Sequence, residues 1–370
     1  MTSSVRSAGV ALVVALLSPA TLVHGAAEGD LPGMPPLLDP RDVYAAARPG
    51  ALSPAVRGDV TRVYVPNSGN GTVDVIDPVT YKVVDHFTVG REPQHVTPSY
   101  DLKTLWVVAD KGNSLTRIDP VTGRRQQTVP VADPYNMYYT PDGRYAIVVA
   151  ERQKRLDFRD AHTMALVHPL SVPCRGVDHI DFSANGRYLI ASCEFSGEMI
   201  KVDVAEQKVL ETLKLPGRAM PQDVRLSPDG SVFFVADMDA NGVHVIDGNA
   251  FRPLGFIPTG RGTHGLYFSR DSRSLYASNR GEGSISVIDM RTRMVKTTWH
   301  IPKGGSPDMG GVSADGRILW LSGRYNSEVY AIDTTDGRLL ARIRVGKGPH
   351  GLCVWPQPGR YSLGHTGIMR

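Results

Sequence analysis

The feature that most constrains the fold of this chain is a short apolar sequence motif that ends in aspartate and occurs seven times. The seven aspartates are Asp77, Asp119, Asp160, Asp203, Asp247, Asp289 and Asp333. Successive members are separated by 42, 41, 43, 44, 42 and 44 residues. A period of about 40–45 residues with several short strands per unit is typical of a β-propeller blade. The spacing therefore predicts an all-β fold, a seven-bladed β-propeller.

One repeat shows how a blade is built. A first strand ends near Leu226, and Ser-Pro-Asp-Gly at 227–230 forms a tight turn, since Asp and Gly suit hairpin turns. Apolar, β-rich strands follow at 232–236 and 243–246, the latter ending at Asp247, and a fourth lies near 254–257. Each repeat is therefore predicted to form a four-stranded antiparallel blade. The repeated aspartate is interpreted as a structural turn residue.

The two ends of the repeat array are incomplete in complementary ways. Residues 350–355 resemble a first strand with no blade after it, whereas residues 63–77 open with a second strand. Because an open ring would expose a sheet edge, we expect the C-terminal strand to pair into the N-terminal blade. The propeller is then predicted to occupy residues 59–357. An extended, unpacked leader is expected at 27–58 and a tail at 358–370, which either packs across the underside or stays loose.

The N-terminus has the pattern of an export signal. Arg6 precedes an apolar run at 9–17, and small residues follow at Gly25 and Ala26. This pattern predicts a signal peptide at 1–26, the alternative being an uncleaved anchor. No other stretch is apolar enough to cross a bilayer. We therefore expect a protein exported to the periplasm, the cell envelope or the extracellular space.

The amino-acid sequence of the repeats resembles that of a known family. Residues 63–67 (VYVPN) lead to 72–77 (TVDVID), and 275–279 (LYASN) lead to 284–289 (SISVID). These phrases, with VGREP at 89–93 and VGKGP at 345–349, are similar to the YVTN-type β-propeller repeat. The resemblance covers about residues 60–355 and is weakest in the third blade, where ERQKR stands at 151–155. It implies an exported seven-bladed ring but no single activity.

Polar residues collect where the predicted first strands begin. First strands line a propeller axis, and they form hairpins with second strands, so the loops entering the former and leaving the latter share one face. A candidate ligand or partner site is therefore predicted at the channel mouth, consisting of His95, Asp178, His179, Asp223, His264, Arg280, Asp308, Arg324 and His350.

Three interpretations of this site remain open. Histidine and carboxylate side chains are common ligands of transition metals, and a metal ion would use His264, His350, Asp223 and Asp308. The others are an organic or haem-like ligand and a polar collar that satisfies backbone groups around a wet channel. The pleat of the strands is expected to point His95 and His179 away from His264 and His350. In a wide ring, His264 and His350 would also be too far apart to bind one ion. His365 and the remaining histidines are assigned to surface or packing roles.

The three cysteines have different predicted roles. Cys174 and Cys193 lie at the same end of neighbouring predicted strands, and an exported protein permits a disulfide between them. Two buried thiols are the alternative. Cys353 lies in the closing strand and is expected to be a buried thiol.

The sequence excludes several classes of function but does not identify a single activity. The chain has no G-x-S-x-G, H-E-x-x-H, Walker or C-x-x-C-H motif. Its 41 basic and 37 acidic residues are scattered and form no basic stripe, so nothing points to nucleic acid. The first hypothesis is a non-catalytic exported propeller that binds a protein partner or small ligand. The alternatives are a metal- or cofactor-dependent enzyme or carrier, and a polysaccharide-binding envelope protein using Tyr135, Phe195 and Tyr325.

Overall fold

The computed structural model describes residue 1 and residues 29–370. The predicted signal peptide therefore lies outside the described residues, apart from Met1. In the described part of the chain the only helices are three single turns of 3₁₀ helix, at Ala45–Ala47, Pro54–Val56 and Glu194–Ser196. None of the helices described is long and apolar enough to cross a membrane.

The strands form seven separate four-stranded antiparallel sheets, as the repeat predicts. The first blade contains β1 (Arg62–Asn67), β2 (Thr72–Asp77) and β3 (Lys82–Thr88). The second contains β4 (Pro93–Pro98), β5 (Leu105–Ala109), β6 (Ser114–Ile118) and β7 (Arg125–Pro130). The third contains β8 (Pro134–Tyr139), β9 (Tyr145–Ala150), β10 (Arg155–Asp160) and β11 (Leu166–Ser171).

The remaining blades repeat this plan. The fourth contains β12 (Val177–Phe182), β13 (Tyr188–Cys193), β14 (Glu198–Asp203) and β15 (Lys208–Lys214). The fifth contains β16 (Pro221–Leu226), β17 (Phe233–Asp237), β18 (Gly242–Asp247) and β19 (Arg252–Pro258). The sixth contains β20 (Thr263–Phe268), β21 (Ser274–Asn279), β22 (Ser284–Asp289) and β23 (Met294–His300). The seventh contains β24 (Pro307–Val312), β25 (Ile318–Gly323), β26 (Glu328–Asp333) and β27 (Leu339–Arg344), and β28 (Cys353–Trp355) closes the ring.

Burial changes systematically from the axis to the rim. The innermost strand β4 is buried throughout, whereas the outermost strand β3 is almost entirely exposed. The repeated aspartates close the turns between third and fourth strands: the Asp77 carboxylate accepts hydrogen bonds from the backbone N–H groups of Val79 (2.8 Å) and Thr80 (3.1 Å). Asp289 binds Arg291 and Thr292 in the same way. The predicted turn role of this residue is confirmed.

The ring closes through the C-terminal strand, as predicted. β28 pairs antiparallel with β1, with Arg62 opposite Trp355 and Tyr64 opposite Cys353. The first blade therefore combines its inner strand from one end of the array with its three outer strands from the other. This pairing satisfies the edge of β1 that would otherwise be free.

The expectation of an unpacked leader is wrong for residues 29–58. Leu31, Val43 and Val56 are buried. The backbone N–H of Leu31 donates to Asn185 O (2.7 Å) and that of Val43 to Pro228 O (2.7 Å). These acceptors lie in the turns between first and second strands, so the leader runs across the face opposite the predicted mouth. Its apolar residues cover inner-strand ends that water would otherwise reach.

The C-terminal tail is inserted into the channel from that same face. Ser362 Oγ donates to Pro98 O (3.3 Å) at the end of β4, and Tyr139 N donates to Leu363 O (2.9 Å) at the end of β8. His365 N donates to Met137 O (2.8 Å), which lies further toward the start of β8. The Arg370 guanidinium is buried against Asp181 (3.0 Å). The tail is thus a folded plug inside the channel, and it neither stays loose nor merely packs across the underside.

The structure joins Cys174 and Cys193 in a disulfide with a Cα–Cα distance of 6.0 Å. Cys174 lies just before β12 and Cys193 ends β13, so the bond ties the loop entering the fourth blade to the second strand of that blade. Cys353 is a buried free thiol.

Candidate functional site

The channel mouth lies where inner strands begin and second strands end. In the strand registers Pro93 faces Ala109, Pro134 faces Ala150 and Thr263 faces Asn279. The starts of first strands and the ends of second strands therefore share one face, as the hairpin argument predicts. The predicted histidines and aspartates lie at or next to these strand starts.

Five histidines converge on the axis below the mouth. The ring centroids of His95 and His350 are 4.8 Å apart, those of His264 and His350 are 5.8 Å apart, and those of His95 and His179 are 5.6 Å apart. The fifth histidine, His365, comes from the tail, with its centroid 5.0 Å from those of both His95 and His179. We call these five residues, together with Asp178, Asp223 and Asp308, the channel cluster.

Two expectations about these histidines are wrong. The pleat does not turn His95 and His179 away, because the pairing of inner and second strands is irregular at this point, with a register shift between Pro93 and His95. Strict alternation of side chains therefore does not apply there. Nor is the ring too wide for distant blades to meet, since inner strands approach one another closely at the axis. His365, assigned to a surface or packing role, lies fully buried in the cluster.

Within the cluster, His264, Asp308 and His350 form one group, which we call the His-Asp-His group. Asp308 Oδ1 lies 2.9 Å from His264 Nδ1, and Asp308 Oδ2 lies 3.6 Å from His350 Nε2. Both Asp308 oxygens and His264 Nδ1 are buried without a hydrogen bond of acceptable geometry. Arg280 Nη1 lies 3.4 Å from Asp308 Oδ1. Burial alone would raise the pKa of Asp308, but Arg280 and the two imidazoles hold it well below its usual range.

The other group contains His95, His179 and His365, which we call the three-histidine group. The three residues each offer a ligand atom, and these atoms lie within 4.8 Å of one another. The same holds for the His-Asp-His group. All six side chains are at most 2% exposed. The two groups adjoin where His95 approaches His350.

The predicted partner Asp223 belongs to neither group. Its Oδ2 accepts a hydrogen bond from Leu266 N (2.9 Å) and lies 3.3 Å from Arg225 Nη2, while Oδ1 accepts from Val224 N (3.0 Å). Asp223 therefore anchors inner strands and lies 4.0 Å from His365 Nε2 at the edge of the cluster. Asp178 Oδ1 is 2.9 Å from His179 Nδ1, and burial together with the charge of Asp223 raises the pKa of Asp178 well above its ordinary value.

The buried imidazoles are neutral at neutral pH. Burial lowers the pKa of both His179 and His264 to about 4, and it lowers those of His95, His350 and His365 well below the ordinary value. A neutral imidazole has a free lone pair on one nitrogen, which is the form that binds a metal ion.

The mouth above the cluster is charged and asymmetric. On the side of the third and fourth blades, burial and neighbouring carboxylates raise the pKa of Glu151 to about 8 and that of Glu194 to about 7. On the side of the sixth and seventh blades lie Arg280 and Arg324, the latter donating to Gly348 O (3.4 Å). The predicted aromatics also lie here: Phe195 and Tyr325 are exposed, and the Tyr135 ring centroid is 5.6 Å from that of His95.

Sequence reasoning missed one member of the cluster, His365. Repeat register could not find it because the tail lies outside the repeats. A signal was nevertheless present, since Tyr361, Leu363, Ile368 and Met369 give the thirteen-residue tail more apolar surface than a loose segment exposes. All four are buried in the structure.

The fold and the channel define the class: this is a seven-bladed β-propeller whose axis is lined with histidine. The chain belongs to the YncE-like β-propeller family, whose model matches residues 33–358. It is 23% identical over 272 residues to the uncharacterized protein YncE of Salmonella typhimurium, an alignment that covers 70% of this chain and 76% of the relative. The match to YncE of Salmonella typhi has the same identity and coverage.

Solved structures show the same architecture at low identity. A chain of Kuenenia stuttgartiensis hydrazine synthase superposes with a TM-score of 0.64 at 17% identity, covering 75% of this chain and 94% of that one. Dihydro-heme d1 dehydrogenase NirN in complex with DHE gives 0.60 at 18%, with coverages of 86% and 78%. A functionally unknown protein from Desulfotomaculum acetoxidans gives 0.67 at 15%, with coverages of 80% and 99%. These likenesses show the fold alone.

Proposed function

We propose that this protein is an exported, non-catalytic β-propeller that binds a transition-metal ion through His264, Asp308 and His350 beneath the channel mouth. One observation carries the proposal. The Asp308 carboxylate is fully buried, lies between two neutral imidazoles, and has no properly oriented hydrogen bond on either oxygen. Buried polar atoms without partners are costly, and a bound cation would satisfy both oxygens.

The spacing of the donor atoms fits an ion. Two ligands about 2.0–2.1 Å from a tetrahedral ion lie roughly 3.3 Å from each other. The distances from the Asp308 oxygens to His264 Nδ1 and His350 Nε2, 2.9 Å and 3.6 Å, lie on either side of that value. Two histidines and one carboxylate are a known ligand set for Zn²⁺. Three protein ligands also leave a fourth position for a small ligand or a group from a partner.

The cluster has the size of an ion site. Ring centroids 4.8–5.8 Å apart at His95, His264 and His350 leave no slot between the imidazoles for a flat macrocycle. NirN was solved in complex with DHE, but that protein shares only the fold with this chain.

Export is part of the proposal. The apolar run and small residues at the N-terminus suit a secretory signal. The Cys174–Cys193 disulfide is compatible with an oxidising compartment, because such bonds persist mainly in exported proteins. Periplasm, cell envelope and extracellular space all meet this requirement.

The test is metal binding by tag-free protein. Protein stripped with EDTA would be titrated with Zn²⁺ and Cu²⁺ by calorimetry, and bound metal would be counted by elemental analysis. We expect tight binding by the wild type, and a loss of affinity of about 10²-fold or more, for at least one of the two ions, in both Asp308→Asn and His350→Gln.

The matched control is His86→Gln, which removes a half-exposed histidine paired with Asp74 outside the channel. It should leave the affinity unchanged. Thermal melts of each variant separate loss of a ligand from loss of the fold. A folded wild type that binds neither metal, or folded variants at Asp308 and His350 that bind both as tightly as the wild type, would refute the assignment.

A further inference from the structure

We propose that His95, His179 and His365 form a second metal site, separate from the His-Asp-His group, that takes Cu²⁺ most tightly and is completed by the C-terminal tail. The inference goes beyond the proposed function because it rests on different ligands. It also assigns a binding role to a segment outside the blades.

The first support is convergence from three elements. His95 comes from β4, His179 from β12 and His365 from the tail, yet their donor atoms lie within 4.8 Å of one another. The side chains of all three are fully buried. Imidazoles are seldom packed together this deeply without a partner for their nitrogens.

The second support is that Nδ1 of each ring lies beside a polar group of the protein while Nε2 is left without a partner. His95 Nδ1 lies 3.1 Å from Tyr135 O, in a hydrogen bond. His179 Nδ1 lies 2.9 Å from Asp178 Oδ1, but the two groups do not have the geometry of a hydrogen bond. His365 Nδ1 contacts the Asn136 side-chain amide, at 3.0 Å from Nδ2 and 3.5 Å from Oδ1.

The Nε2 atoms of His95, His179 and His365 are all buried without a hydrogen bond. Metal-binding histidines are typically oriented in this way, with the second nitrogen held by a carbonyl, carboxylate or amide. Tyr135 O, the Asp178 carboxyl and the Asn136 amide, which lie beside Nδ1 of these rings, would therefore form the outer shell of such a site. In the bound form the Asn136 amide would present its oxygen to His365 Nδ1.

The third support is the chemistry of the donor set. Three neutral imidazoles suit copper and zinc, and among first-row divalent ions a nitrogen site binds Cu²⁺ most tightly. Asp178 and Asp223 flank the group without belonging to it. A bound cation would favour the ionised form of both carboxyl groups, whose negative charge would then offset that of the ion.

The tail is held well enough to present its histidine. His365 N donates to Met137 O (2.8 Å), and Gly364 pairs with Tyr138 as an isolated bridge. Arg370 ties the other arm of the plug to Asp181. Because His365 is a ligand from outside the repeats, an ion at this site would fasten the tail to the ring. Metal binding should therefore protect the tail from local opening.

The experiment uses the full chain and Cu²⁺ alone. Elemental analysis and calorimetry would compare the wild type, His365→Gln, Asp308→Asn and the control His162→Gln, an exposed loop residue. We expect two ions in the wild type and in the control, and one in each of the other two variants. Electron paramagnetic resonance of the ion retained by Asp308→Asn should show nitrogen ligands only, and hydrogen exchange of residues 361–369 should slow on Cu²⁺ addition in the wild type but not in His365→Gln.

The outcomes separate the two proposals. One ion that is lost in Asp308→Asn and kept in His365→Gln would overturn the second site and leave the proposed function standing. One Cu²⁺ ion with the reverse dependence would establish the three-histidine site and show that the His-Asp-His group does not bind Cu²⁺. A single ion lost in both variants would show one shared centre and overturn the second site, and a wild type that binds no Cu²⁺ would overturn it as well.

Discussion

Arg62 and Trp355 face each other across an antiparallel strand pair, although one begins the first blade and the other ends the last strand of the array. Trp355 is completely buried, and its indole N–H donates to Asp59 Oδ2 (2.8 Å). This pair is where the ring is sealed. The first blade thus depends on residues from opposite ends of the array.

Removal of residues 349–370 should therefore break the cooperativity of the ring. The truncation deletes β28 and exposes the paired edge of β1. We expect a lower and broader thermal transition, measured by circular dichroism. Removal of 359–370 alone is the control, since it keeps β28, and it should lower the midpoint less. Equal melts for the full chain and the longer truncation would contradict this account of closure.

Glu151 should make the protein less stable as the pH rises. The pKa of Glu151 is about 8 in the folded protein, because the carboxyl is partly buried near Asp178 and Glu194. In the unfolded chain its pKa is near 4.3. As the pH rises, the unfolded state therefore loses this proton first. The stability contributed by the protonated Glu151 carboxyl is complete below the pKa of the unfolded state and disappears as the pH rises through 8.

Glu151→Gln should consequently gain free energy of unfolding over the wild type at pH 9, while the two proteins converge at pH 4. Urea midpoints measured in EDTA at both pH values give the comparison. The exposed Glu206→Gln is the control and should show no pH-dependent difference. A constant offset between Glu151→Gln and the wild type across this range would show that the carboxyl is not the cause.

Reduction of the Cys174–Cys193 disulfide should destabilise the fourth blade. The bond joins residues 19 apart in sequence, and a loop of that size corresponds to roughly 3 kcal/mol of lost chain entropy in the unfolded state. We expect urea denaturation with and without dithiothreitol to differ by about this amount. Cys353→Ser should keep the difference, because Cys353 is a free thiol. Cys174→Ser should abolish it, and a reductant effect that survives this substitution would contradict the assignment.

Arg280 should weaken metal binding at the His-Asp-His group. Its Nη1 lies 3.4 Å from Asp308 Oδ1 and competes with a cation for that oxygen. Arg280→Gln should lower the dissociation constant for Zn²⁺ on the order of tenfold, which corresponds to about 1.4 kcal/mol. The control is Arg218→Gln in the loop before β16, which removes an exposed guanidinium that pairs with Asp239. It should have no effect on the dissociation constant. Unchanged or weaker affinity in Arg280→Gln would show that the guanidinium does not compete.

The amino-acid sequence by itself determined the ring. The seven spaced aspartates fixed the number of blades because each closes a local turn, and local turns depend on residues that are adjacent in the chain. The sequence also determined how the ring closes. The blade that begins at residues 63–77 lacks its first strand, and residues 350–355 form a first strand without a blade, so the two can pair. The face shared by His264, Asp308 and His350 also followed from strand direction alone.

Tertiary structure decided how the cluster is assembled. Irregular pairing at the starts of inner strands changed which way His95 and His179 point, and periodicity assumes that such irregularities are absent. The place of His365 depends on how a non-repeating tail fits the space at the axis, and that space exists only once all seven blades have closed. Distances between residues of different blades are set by the packing of the whole ring, so no local pattern in the chain encodes them.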